Sequence, residues 1–202
     1  MGTRCHGNWT LNRIWFMNEI LVLQRRSSSA FIRDHPETAE LFLQRGATLT
    51  LHESAAIGDS DRALEMLRNE PHRINEPGED GHAPLGLAVY FGHDELAAAL
   101  LEAGVDVNQV SSNDQRVAPI HAAVSRNRVE ILAKLIARGA DVNLTQSQGF
   151  TPLHGAAFNG SEKACQLLLD AGARRSALAA DGKTAAHCRG REHPKLSAVL
   201  GT

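Results

Sequence analysis

The chain has 202 residues, a formal net charge of −2 and 22% charged residues, so no global charge draws it to nucleic acid or an anionic membrane. Aromatic residues make up only 4%, too few for an all-β core or for base-stacking surfaces. The three cysteines, Cys5, Cys165 and Cys188, are far apart and odd in number; they form neither a disulfide framework nor a zinc-type spacing, and they point to a reducing compartment.

From the N-terminus, residues 8–26 (NWTLNRIWFMNEILVLQRR) form the only candidate targeting segment. Arg13, Asn18 and Glu19 interrupt it, and no apolar run reaches the length of a membrane span. Residues 9–24 are expected to form a short amphipathic helix, and RRSSS (25–29) reads as a linker. The whole of 1–33 is unlike the rest of the chain. The segment DHPETAELFLQRGA (34–47) has the pattern of a second helix from the units that follow, with Gly46 placed to end it. A partial unit is therefore expected over 34–48, able to cap the N-terminal end.

From residue 49 the chain repeats itself. Leu51, Leu85, Ile120, Leu153 and Ala186 recur at steps of 34, 35, 33 and 33 residues. Around them stand LHESAAIGD, APLGLAVYFGH, APIHAAVSRN, TPLHGAAFNG and TAAHCRGRE. In TPLHGAAFNG, Thr151 suits a helix N-cap whose hydroxyl accepts from a backbone N–H, and Pro152 suits the first helical position. Gly155, Ala156 and Ala157 allow close packing, and Gly160 suits the helix end. Two helical turns are unstable alone, so such a unit needs neighbours. Leucine-rich second helices follow in the first four units, with apolar residues at helical spacing, as at Val129, Leu132, Leu135 and Ile136. GVDVN (104–108) and GADVN (139–143) close two of them.

The period, the Thr-Pro-Leu-His block and the Gly-Ala-Asp-Val-Asn ending together resemble the ankyrin repeat family over residues 49–202. The resemblance implies an all-α fold: an ankyrin-repeat solenoid of helix–turn–helix units with β-turn fingers. The units fall near 49–79, 80–113, 114–147 and 148–180, with a C-terminal capping repeat over 181–202. Departures are visible. Gly86 stands where the histidine belongs, the third unit lacks the finger glycine, and the fourth ends in GARRSA. Arg189 and Gly190 replace alanines in the fifth, as suits a polar cap.

His52, His121, His154 and His187 share one register. Successive units space them about 10 Å apart, too far to share one ion, so each is expected to bond local backbone. His187, Cys188 and His193 match no standard metal spacing, and Asp106 and Asp141 suit turns. No metal, cofactor or catalytic residue is expected. Arg116, Arg126, Arg128, Lys134, Arg138, Arg174 and Arg175 read as a solvated face, with a local patch for an anionic partner as the alternative.

The resemblance implies a non-catalytic module that binds another protein through its concave face and finger tips. Carried over by register, the binding positions are His82, Tyr90 and Phe91, then Val117, Ser125 and Arg126, then Phe150, Phe158 and Asn159. Tyr90, Phe150 and Phe158 are expected to be exposed aromatic anchors, with Arg126 orienting a partner oxygen. A cytoplasmic monomer is expected, without nucleic acid, small-molecule substrate or membrane. Two alternatives stay open: the targeting or regulatory part of an enzyme system, and an adaptor anchored to a membrane through residues 9–24.

Overall fold

The computed structural model describes residues 49–188 and 196–200. The N-terminal segment 1–33, the partial unit 34–48, and Arg189, Gly190 and His193 lie outside the described residues. The helices are α1 (Leu51–Ile57), α2 (Ser60–Asn69), α3 (Pro84–Phe91), α4 (Asp94–Glu102), α5 (Pro119–Ser125), α6 (Val129–Ala137), α7 (Pro152–Phe158), α8 (Glu162–Asp170), α9 (Ala185–Cys188) and α10 (Leu196–Leu200). Short 3-10 turns cover Pro71–Asn75 and Ser147–Gly149. The first helices α1, α3, α5, α7 and α9 pack in sequence to form one layer. The second helices α4, α6, α8 and α10 form another, and each antiparallel pair closes on itself.

The helix starts follow from local chemistry. Pro84, Pro119 and Pro152 open α3, α5 and α7. At α1, which has no proline, Thr50 Oγ1 accepts from Glu53 N at 3.2 Å and Glu53 Oε2 accepts from Thr50 N at 2.8 Å. This capping box satisfies two otherwise orphan donors. The turns after these helices need a positive φ: Gly58, Gly92 and Gly160 supply it, and Asn127 stands at the same register with φ 53°. Leu51, Leu85, Ile120 and Leu153 are at most 1% exposed, so the register read from the sequence is the core register. Ala186, the fifth, is only partly buried.

The fingers are hydrogen-bonded turns. Gly78 N donates to His82 O, Ser111 N to Val117 O, Gln146 N to Phe150 O and Ala179 N to Lys183 O, all at 2.9–3.0 Å. Each finger also holds the next: Ser112 N donates to Gly81 O, Ser147 N to Gln115 O and Ala180 N to Gln148 O. The third unit lacks the finger glycine, and Arg116 takes its left-handed conformation at φ 53°.

A second line of bonds runs beneath the fingers. Asn75 Oδ1 accepts from Asp106 N at 2.8 Å, Asn108 Oδ1 from Asp141 N at 2.7 Å, and Asn143 Oδ1 from Arg174 N at 2.9 Å. Asn108 and Asn143 also donate through Nδ2 to Gly139 O and Gly172 O. One asparagine per unit thus ties its backbone to the next. Asp106 and Asp141 bond Asn108 N and Asn143 N, the turn role expected of them.

Candidate interaction surface

Three of the four register histidines, His52, His121 and His154, bond backbone as expected, and His187 meets a side-chain hydroxyl. His121 Nδ1 accepts from Ala118 N at 3.2 Å, which leaves Nε2 to donate to Leu144 O at 3.0 Å. His154 repeats this: Nδ1 accepts from Thr151 N at 3.2 Å, and Nε2 donates to Lys183 O at 3.1 Å. The Thr151 hydroxyl lies 2.8 Å from the same Nδ1, a ring partner that the N-cap reading did not foresee. His52 Nε2 donates to Glu76 O at 2.7 Å, and His187 Nδ1 meets Thr184 Oγ1 at 2.8 Å. The rings of His52, His121 and His154 therefore each position a finger base. Burial lowers the His121 pKa to about 4 and lowers that of His154. Burial pushes the Cys165 thiol up to about 12, far from a reactive thiolate.

Among the finger positions, His82 sits between two fingers. Its N–H donates to Asp80 Oδ1 at 2.9 Å and its Nε2 lies 3.2 Å from Asn113 Nδ2, which also donates to Asp80 O. Val117 closes its finger through Ser111 Oγ at 2.8 Å. Both side chains are half-buried.

At the ends of the first helices the expectations divide. Ser125, Arg126 and Asn159 are exposed, and Phe91 and Phe158 are half-buried. Tyr90 is only 9% exposed and Phe150 only 6%, so neither is the exposed anchor expected of it. Arg126 covers Tyr90, with its guanidinium 4.3 Å from the ring centroid and Nε donating to Tyr90 O at 3.2 Å. Phe91 meets the same ring edge-on at 5.0 Å. Phe150 turns inward, edge-on to His154 at 5.7 Å, and packs with Ala179 and Cys188.

Several basic residues also depart from the solvated face expected of them. Arg126, Arg128 and Arg138 all reach back to the second unit. Arg128 lies 3.8 Å from Asp94, and Arg138 donates to Leu101 O at the end of α4. Asn159 Nδ2 likewise donates back to Val124 O at 2.9 Å, and His93 Nε2 to Ala56 O at 2.9 Å. The composition of single helices carries no signal for these bonds. The asparagines at 75, 108 and 143 did carry one, in their spacing.

The family model described as "Ankyrin repeats (3 copies)" matches residues 29–146 and 120–189. The chain belongs to the ankyrin repeat family. Its relatives include the human ankyrin repeat and SOCS box protein 16, 35% identical over 157 residues, which cover 74% of this chain and 34% of that protein. The human ankyrin repeat and SAM domain-containing protein 3 is 40% identical over 60 residues, covering 30% of this chain and 9% of that protein. A Caenorhabditis elegans homolog of the transient receptor potential cation channel subfamily A member 1 is 28% identical over 158 residues, covering 74% of this chain and 13% of the channel. This ankyrin chain thus spans about a third or less of each of them. Among the described residues, no group of three His, Cys, Asp or Glu is placed to hold a metal ion, and no helix is long and apolar enough to cross a membrane.

Proposed function

We propose that this chain is a non-catalytic protein-binding module, acting as a cytoplasmic monomer through the finger side and first-helix ends of its solenoid. One observation carries the reading. Half-buried Phe91 and Phe158 flank exposed Ser125, Arg126 and Asn159 on units that hydrogen bonds hold rigidly together. Rigid apolar rings beside a fixed cation are what interface hot spots favour, and little ordering cost attends binding to them. His82 and Val117 extend the surface onto the fingers. Tyr90 and Phe150 support it from beneath. The absence of catalysis is supported by register histidines whose ring nitrogens bond structural partners, and by a Cys165 thiol held in its protonated form.

The test has two steps. The full chain is immobilised, partners are captured, and they are identified by mass spectrometry. One partner is then titrated against Phe91→Ala, Phe158→Ala and Arg126→Ala, with melting curves as the control for folding. Each is expected to weaken binding by about 1–2 kcal/mol. If all three bind like the parent, the surface lies elsewhere on the molecule.

A further inference from the structure

We propose that the basic, apolar N-terminal segment, residues 9–26, docks within the same chain on the outer face of α4. Between Arg73 and Arg116 the chain holds eight carboxylates and no lysine or arginine. On α4, Glu95, Ala98, Ala99 and Glu102 fall on one side of the helix, at spacings of three, one and three residues. The two glutamates are exposed and the two alanines half-buried, so the face is a shallow apolar step with a carboxylate at each end. Among the described residues neither glutamate has an ion-pair partner. The other second helices differ: Arg62 and Arg68 lie on α2, Lys134 follows Glu130 on α6, and Lys163 follows Glu162 on α8.

Residues 1–33 have the complementary character, with five arginines against one glutamate. Arg13, Arg25 and Arg26 bracket the mostly apolar run Ile14 to Leu23, and Trp9 and Leu11 precede it. Large side chains fill the step that alanines leave, and guanidinium groups meet carboxylates through paired hydrogen bonds. The seven residues from Ser27 to Arg33 reach up to about 25 Å when extended, and α4 lies two units, about 20 Å, beyond the partial unit expected over 34–48. The docked segment leaves the finger side open.

Trp9 and Trp15 are the only tryptophans, so tryptophan fluorescence of the full chain reports on this segment alone. At low salt, blue-shifted emission and weak acrylamide quenching are expected. The variant E95K/E102K should shift emission to the red and raise quenching severalfold, with unchanged circular dichroism, and Glu130→Lys on α6 should do neither. Should E95K/E102K lose helicity, E95Q/E102Q is read out the same way. Fully quenchable tryptophans in the parent, or identical quenching in parent and α4 variants, would overturn the proposal. So would protection that grows with protein concentration, which places the segment on a second copy. No binding partner enters the experiment, so its outcome is independent of the surface proposed above.

Discussion

At the scale of single residues, His121 couples the fold to pH. Its Nδ1 accepts a backbone N–H and its Nε2 donates to the next finger, so only the neutral ring fits. An unfolded histidine takes up its proton near pH 6.5, and the folded ring near 4. Between those values the unfolded chain binds more protons, so stability present above pH 6.5 is lost as pH falls toward 4. The full contribution is about 3 kcal/mol, of which about 2 is lost by pH 5. Urea midpoints at pH 7 and pH 5 should show this drop, and His121→Gln should flatten it; equal midpoints in the parent would show that the ring is not held neutral. Gly86 offers the opposite test. It lies inside α3, and a Cβ built there meets nothing within 4 Å. Gly86→Ala should raise stability by about 0.5–1 kcal/mol, since glycine loses more backbone freedom in a helix. A lower melting temperature would mean that the open space is filled in solution.

At the scale of elements, the helices were legible because proline and glycine bracket them and because leucine or isoleucine returns at one register. The bonds between fingers were not, since they join residues about one period apart and leave no local mark. Tyr90 shows the limit of register reasoning. It matches Ser125 and Phe158 in position, and Ser125 is exposed. Yet Tyr90 is covered, because Arg126 of the next unit lies over its ring. Phe150 was misread for another reason: it lies on the returning arm of a finger, where extended backbone turns it toward His154. The asparagine line is the clearest element-level device. Asn108→Ala removes the bonds to Asp141 N and Gly139 O, both at exposed sites, at a cost of about 1 kcal/mol. Faster hydrogen exchange at the Asp141 amide is expected, and an unchanged rate would show that water replaces the bond without loss.

At the scale of the whole molecule, stability is a sum over neighbours. Leu153 is fully buried in the first turn of α7, which packs between α5 and α9. Leu153→Ala should lower unfolding stability by about 2–5 kcal/mol, as cavities do. Hydrogen exchange should show the third to fifth units loosening while α1 and α2 keep their protection; uniform loosening would mean that the array unfolds as one body. The asparagines have a further consequence, for how such a chain changes length. Asn75, Asn108 and Asn143 bond only backbone amides and carbonyls of the unit ahead. Every amino acid but proline supplies that amide, so the joint does not depend on which unit comes next. A unit can be duplicated, deleted or exchanged for another with the same ending, and the coupling re-forms across the new junction. In the fourth unit Ser176 stands where the asparagine would be, so the series ends by a change of one side chain.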